Sequence, residues 1–243
     1  MTNAVEIRGL RKTYGEIEAV AGLDLTIGKG ELLALLGVNG AGKSTTIKML
    51  SCLTIPSAGD AWILGHSIRT EPDRVKALLG VSPQETAIAP NLTVAENLEF
   101  MAGIHGCSGS EARKKSAEMI RTLGLESVAK RRAKTLSGGW QRRLSIALAL
   151  VSDPQVLFLD EPTLGLDVLA RRELWKVIEG LKGRVTIILT THYLEEAEAL
   201  SDRIAVMAGG SLCAVGTLKE LLIQTGGNNL EDAFVILAEG GGA

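Results

Sequence analysis

Polar and apolar residues alternate in part from Ala19 to Ile27, Gly28-Lys29-Gly30 breaks the pattern, and Leu32 to Leu36 is apolar throughout. Alternation marks a half-buried strand and an unbroken apolar run a fully buried one, so the chain opens as strand, turn, strand. The period changes after a glycine-rich stretch, Gly37 to Ser44, because Ile47, Leu50 and Leu53 recur at helical spacing over Thr45 to Leu53. Further strands are expected at Asp60 to Gly65 and at Leu78 to Val81, the latter running into the turn Ser82-Pro83-Gln84.

From Pro90 to Leu150 helices take over. Thr93-Val94-Ala95-Glu96 and Ser108-Gly109-Ser110-Glu111 have the spacing at which a cap hydroxyl and a glutamate satisfy each other's backbone N–H groups. The second of these helices stops near Gly124, and a third is expected from Ser137 or Gly138 to Val151, with Trp140, Leu144, Ala147, Leu148 and Val151 along one side. Strand and helix then alternate again. Val156 to Leu159 ends in Asp160-Glu161, a helix spans Asp167 to Glu179, and Val185 to Leu189 leads to Thr191-His192. Tyr193 to Leu200 is helical, Ile204 to Met207 and Ser211 to Val215 form a hairpin about Gly209-Gly210, and short helices cover Leu218 to Ile223 and Leu230 to Leu237. The pattern predicts an α/β core, about residues 1–88 and 153–225, an inserted helical lobe at about 89–152, and a short helical tail at 226–243.

The 243 residues are 46% hydrophobic and 22% charged, enough to bury a core and too apolar for a disordered chain. Aromatic content of 3% and a net charge of −2 argue against a base-stacking or phosphate-binding surface for nucleic acid, so no nucleic-acid partner is expected. Cys52, Cys107 and Cys213 stand far apart with no metal-ligand spacing, which points to a reducing compartment and ordinary packing. Met1 to Arg11 lacks the apolar core of a secretory signal, and no run approaches the ~18 apolar residues of a membrane span. The expectation is a soluble chain that meets a membrane only through a partner.

Gly37-Val38-Asn39-Gly40-Ala41-Gly42-Lys43-Ser44 matches G-x-x-x-x-G-K-[ST] without a gap, between a buried strand and a helix. Glycines there let successive backbone N–H groups of residues 37–45 point at phosphate oxygens, and the following helix offers its positive end. Gly40 reinforces the bend, Lys43 reaches the terminal phosphates, and Ser44 offers a hydroxyl to Mg²⁺, which prefers an oxygen-only shell. Val156 to Glu161 delivers two carboxylates to the sheet's carboxyl edge, where open α/β sheets bind ligands. Asp160 would hold Mg²⁺ directly or indirectly, and Glu161 would take a proton from, or orient, the attacking water. His192, at an equivalent strand end, can hydrogen-bond the γ-phosphate or that water. Gln84 borders the helical lobe, and its amide oxygen can ligand Mg²⁺ while its backbone moves with the lobe. Ser137, Gly138 and Gly139 start a helix and make a second anion site, which a head-to-tail dimer would use to cover the γ-phosphate held by the other chain.

In order and spacing, Gly37–Ser44, Gln84, Leu136–Gly139, Leu157–Glu161, Leu166-Asp167 and His192 resemble the ATP-binding cassette family over about residues 4–220. The resemblance implies that family's ATPase fold, a P-loop NTPase core with an N-terminal antiparallel β region and an inserted helical subdomain. It implies ATP and Mg²⁺ sandwiched in a homodimer or a heterodimer with a related ATPase subunit, closure and hydrolysis driving a transmembrane permease, and a peripheral location on the cytoplasmic face of the membrane. By position Tyr14 resembles the family's adenine-stacking aromatic, and Gly165-Leu166-Asp167 the segment crossing the dimer interface. Two departures stand out: Trp140 replaces the usual glutamine after Gly139, with Gln141 one place later, and Leu164 replaces a serine. Gly37 with Thr45 to Leu50, Leu92 to Leu98 and Leu230 to Phe234 are similar to the drug-resistance and small-exporter branch. Export is therefore the expected role, with uptake or a soluble cassette acting on ribosomes or nucleic acid as alternatives.

Overall fold

The computed structural model describes residues 3–240; Met1, Thr2 and residues 241–243, the last of the expected tail, lie outside the described residues. Strands β1 (Asn3–Tyr14) and β2 (Ile17–Gly28) form an antiparallel ribbon. β1 has no clean alternation because its register with β2 slips between Ile7 and Leu10 and again at Arg11. β3 (Leu32–Leu36), buried at every residue, runs through the glycine-rich loop into helix α1 (Lys43–Leu50). β4 (Ala58–Ile63) and β5 (His66–Ser67) complete the first sheet in the order β2-β1-β4-β5, and helix α2 (Pro72–Ala77) precedes β6 (Leu79–Ser82).

The inserted helices are α3 (Val94–Ile104), α4 (Gly109–Thr122) and α5 (Gly138–Leu150). Both expected capping boxes form, at Thr93 with Glu96 and at Ser108 with Glu111. The core resumes with β7 (Val156–Asp160), α6 (Val168–Glu179), β8 (Thr186–Thr191) and α7 (Leu194–Leu200). The hairpin β9 (Arg203–Ala208) and β10 (Ser211–Gly216) follows, then α8 (Leu218–Thr225) and α9 (Leu230–Gly240). This is the ABC-type ATPase fold of the expectation: a P-loop core, an antiparallel N-terminal sheet and a helical subdomain.

The second sheet has the order β10-β9-β3-β8-β7-β6, parallel throughout except for the β9–β10 hairpin. Its strands read as unbroken apolar runs because both faces are covered. Leu157 and Leu159 of β7 enter the core shared with the inserted helices, and Val156 and Phe158 enter the core under the antiparallel sheet. Since β3, β8, β7 and β6 are adjacent and parallel, their carboxyl ends lie on one edge. That edge gathers the glycine-rich loop, Thr191-His192, Asp160-Glu161 and Ser82–Gln84, four segments far apart in sequence.

Two local expectations differ. Helix α1 begins at Lys43 and ends at Leu50, not at Leu53. Gly42, at φ 98°, turns the chain into the helix, and the N–H groups of Leu53 and Thr54 both fold back on the Lys48 carbonyl. Leu53 is consequently 68% exposed and not on the buried face. Helix α2 has no counterpart in the sequence reading, because it is six residues long and buries only Val75, too short to display a period.

Candidate functional site

A cavity of about 400 Å³ opens at this edge, walled by Tyr14, the loop from Asn39 through Gly40, Ala41, Gly42, Lys43, Ser44 and Thr45, and by Gln84, Leu164, Glu161 and His192. Most of the sequence-derived site residues therefore meet in one place. A second cavity, about 510 Å³, lies at the opposite edge around Pro154, Gln155, Val185 and Thr186 and contains none of them. Chemistry, not size, distinguishes the two.

The loop is shaped by close backbone approach. A Cβ on Gly37 would come within 2.5 Å of the Met207 carbonyl, and one on Gly42 within 2.5 Å of the Ala19 carbonyl. Gly40 sits at φ 85° with open space around it, so its need for glycine is conformational. Gly37 is not on the cavity's wall. Its N–H donates to the Thr191 carbonyl at 3.3 Å and its own carbonyl accepts from Lys43 Nζ at 2.6 Å. Packed against β9, it fixes the loop from behind.

Lys43 is 5% exposed, and its ammonium has three oxygen neighbours: the carbonyls of Gly37 at 2.6 Å and Val38 at 3.2 Å, and Glu161 Oε1 at 3.3 Å. Three protons meet three acceptors, which is what a buried ammonium requires. The other oxygen of Glu161, Oε2, lies 2.7 Å from His192 Nδ1. With Nδ1–H donating to the carboxylate, Nε2 is the ring atom left for a ligand. Glu161 adopts φ 48°, a left-handed conformation uncommon away from glycine, and its N–H is held by Thr190 through both Oγ1 at 3.0 Å and the carbonyl at 3.2 Å. Such a conformation costs on the order of 1–3 kcal/mol and persists where surrounding structure over-determines it. Asp160 sits behind the loop and outside the cavity lining, its Oδ1 accepting from Ser44 Oγ at 3.0 Å and from Thr190 Oγ1 at 2.5 Å.

Ser137, Gly138, Gly139 and Asp167 are not on this cavity's wall. Ser137 is exposed and its side chain makes no cap to its own helix α5. A Cβ on Gly138 would lie 3.5 Å from Leu166, and one on Gly139 3.2 Å from Ala170, so this helix start packs on the segment leading into α6. Asp167 caps α6, its Oδ1 accepting from the N–H groups of Leu169 and Ala170 at 2.9 Å each. Gln141 turns inward, donating from Nε2 to the carbonyls of Ala133 at 3.2 Å and Leu136 at 3.3 Å, while Trp140 packs on the helical core with the Arg143 guanidinium over its ring. The displaced glutamine thus braces the turn that presents Ser137.

A family model for ABC transporters matches residues 20–164, well over half of the chain. The protein belongs to the ABC transporter family. It is 45% identical to the daunorubicin/doxorubicin resistance ATP-binding protein of Streptomyces peucetius, over 94% of this chain and 70% of that one. It is 39% identical to the linearmycin resistance ATP-binding protein of Bacillus subtilis, over 93% and 73%. Among solved structures, the ATP-binding subunit of an ABC transporter matches with a TM-score of 0.84 at 30% identity, over 97% of this chain and 99% of that one. A dimeric ATP-binding cassette in a post-hydrolysis state, bound to ADP and Pi, matches with a TM-score of 0.79 at 29% identity, over 88% and 98%. The chain is therefore an ATP-binding and ATP-hydrolysing ABC ATPase subunit.

An ABC ATPase implies Mg²⁺ beside the nucleotide, and the donors present fit that ion. Ser44 Oγ and Asp160 Oδ1 lie 3.0 Å apart, Ser44 shares the cavity wall with Gln84, and the three supply hydroxyl, carboxylate and amide oxygens. No group of three His, Cys, Asp or Glu residues suited to holding a metal occurs among the described residues.

Two residues of this ABC ATPase escape the sequence reading. Arg142, next to Gln141 on α5, is buried and donates to the carbonyls of Pro83 at 2.8 Å and Gln84 at 2.7 Å. Glu196 on α7 is fully buried, its Oε1 accepting from Trp175 Nε1 at 3.0 Å and its Oε2 without a hydrogen-bond partner. Its signal is positional: it adjoins Ala197 and stands four residues before Leu200, both buried, and so shares their inner face. Burial pushes the Glu196 carboxyl up from its usual range; the nearby polar groups of Thr191, Thr163 and Trp175 oppose this, and the negative charge of Glu161 adds to it. A carboxyl raised in the folded state contributes stability that is present at low pH and lost as pH rises through its folded value. Glu196→Gln should therefore raise Tm at about pH 8, with a gain that shrinks toward about pH 4, where the wild-type carboxyl is protonated in both states. Thermal unfolding across that range checks it, and a gain of equal size at every pH would contradict the assignment.

Proposed function

We propose that this chain is the MgATP-hydrolysing subunit of an export transporter, closing around ATP as a dimer and driving a transmembrane permease from the cytoplasmic face. One observation carries the dimeric part. The exposed, uncapped Ser137 and its two glycines lie off the cavity that holds Lys43, Glu161 and His192, so a single chain presents two unlike halves of a phosphate site. Head-to-tail pairing would join each half to its complement, with Asp167 beside the junction; the similar cassette bound to ADP and Pi is itself dimeric. Export is supported by the drug-resistance relatives. Among the described residues no helix is long and apolar enough to cross a membrane, so in this reading membrane contact runs through the permease.

Each side chain has a task in this scheme. Tyr14, nearly half exposed at the cavity mouth, offers a ring face to adenine. The N–H groups of Asn39–Thr45 and the Lys43 ammonium bind phosphate oxygens, which replace Glu161 as the third acceptor of Lys43. Glu161, released from Lys43 but still hydrogen-bonded to His192, accepts a proton from water or orients it, while a His192 ring protonated on both nitrogens donates from Nε2–H to the γ-phosphate. Ser44, Asp160 and Gln84 would hold Mg²⁺, which neutralises charge on the phosphates when bound.

Ser137→Arg tests the shared site. The variant should bind MgATP within about 2-fold of wild type by calorimetry and lose ATP turnover by about 100-fold or more, because a bulky cation blocks the partner's γ-phosphate. Loss of binding in step with turnover would put Ser137 in its own chain's pocket and end the proposal. Co-purification of the wild-type chain with a transmembrane subunit that exports a drug-like compound in an ATP-dependent vesicle assay tests the transport half; uptake in that assay would reverse the direction.

A further inference from the structure

Helix α5 carries Ser137–Gly139 at its start and is fastened along one face to β6 and the Gln84 turn. Arg142, Ser145 and Ala149 share that face, at intervals of three and four residues. The plane of the Arg142 guanidinium reaches two consecutive carbonyls, Nη1 to Pro83 at 2.8 Å and Nη2 to Gln84 at 2.7 Å. One turn on, Ser145 Oγ and Ser82 Oγ are 2.9 Å apart and buried. At the far end Gly80 lies so close to the helix that a Cβ there would be 2.2 Å from the Ala149 carbonyl. Three successive fastenings hold helix and strand side by side, running in opposite directions.

The Arg142 fastening is the unusual one. The side chain is 5% exposed, and its two recorded hydrogen bonds go to main-chain carbonyls. Burial pushes the guanidinium below its ordinary value, offset in part by the charges of Asp160 and Glu196. A buried cation is costly, and an apolar side chain of similar size would fill the space more cheaply. What the guanidinium alone supplies is a rigid fork of strong, charge-assisted bonds to two adjacent peptide groups. Those peptides belong to the turn whose Gln84 side chain lines the nucleotide cavity.

We propose that Arg142 is a positioning residue that makes the Gln84 turn and the start of α5 move as one body, so that occupation of a chain's own cavity sets the posture of the Ser137 site it offers to its partner. The inference rests on the reading that Gln84 and Ser137 serve two different nucleotides. Arg142 touches neither nucleotide in that arrangement; it acts through Gln84 on one side and through the first turn of α5 on the other. The consequence is cooperativity: a chain with an empty cavity presents a poorly aimed Ser137, and filling it aims the site.

Hydrogen–deuterium exchange on the full-length Ser137→Arg chain, which binds MgATP in this reading but cannot close on a partner, separates this effect from dimer contact. MgATP should slow exchange at residues 83–86 and, through Arg142, at 139–143 by about 3-fold or more. Adding Arg142→Lys, which keeps the charge but replaces the fork by one centre, should leave protection at 83–86 and abolish it at 139–143. In the otherwise wild-type chain Arg142→Lys should keep MgATP affinity within about 2-fold, lower kcat about 10-fold and bring the Hill coefficient for ATP down toward about 1. Protection at 83–86 with none at 139–143 in the Ser137→Arg chain overturns the inference while leaving the proposed function intact. Loss of MgATP binding in Ser137→Arg itself overturns the reading beneath it, and the inference with it.

Discussion

Glu161→Gln is expected to lower ATP turnover by about three orders of magnitude, leave MgATP binding intact, and accumulate a closed dimer. The geometry explains why the three effects should separate. Glu161 is the one carboxylate on the cavity wall, placed to take a proton from water while an imidazole 2.7 Å away holds it in place. An amide has the same shape but very little basicity, so the bond to phosphorus stays intact. Binding survives because Lys43 keeps its two loop carbonyls and gains phosphate oxygens. The closed state accumulates because hydrolysis is what would reopen it. Light scattering with MgATP should give a dimer for the variant and a monomer without nucleotide; a monomer in both conditions would remove the basis for the paired site.

Lys43→Ala should weaken MgATP binding by about 100-fold or more, since a charge-assisted hydrogen bond contributes about 1.5–3 kcal/mol and the phosphates lose the ammonium's charge along with that bond. A second effect follows from the buried pair. With the ammonium gone, Glu161 keeps only His192, and a buried carboxylate deprived of its cation destabilises the fold by about 3–5 kcal/mol in the strongest cases. Tm without nucleotide should therefore fall, and the double variant Lys43→Ala with Glu161→Gln should recover much of the loss, because no charge is then stranded. Calorimetric affinity and Tm across the three proteins check both claims. Wild-type affinity in Lys43→Ala would remove the loop from the nucleotide site.

The reach of the sequence can be seen residue by residue. The Gly37–Ser44 loop is legible because backbone curvature and phosphate chemistry demand those residue types in that order, whatever the rest of the fold. Strands β3, β7 and β8 are legible because burial on both faces forces unbroken apolar runs, and both capping boxes because their partners are three residues apart. The end of α1 was less legible, since Ser51 and the Lys48 carbonyl close the helix through bonds that leave no period. Arg142 was hidden for another reason. Arginine on a helix is ordinarily a solvated residue, and only the arrival of β6 beside α5 makes this one a buried fork.

Local order in the chain thus determined the phosphate loop, the strand-end carboxylates, the histidine and the Ser-Gly-Gly helix start, since each obeys rules that act over a few residues. Tertiary structure alone decided that Lys43, Glu161 and His192 touch, that Gly37 supports the loop from behind, that Glu196 is sealed from water, and that Arg142 fastens the Gln84 turn to α5. The physical reason is separation along the chain. Charge pairing and burial depend on which distant segments the parallel sheet brings to one edge, and no local pattern records the neighbours a side chain will find there.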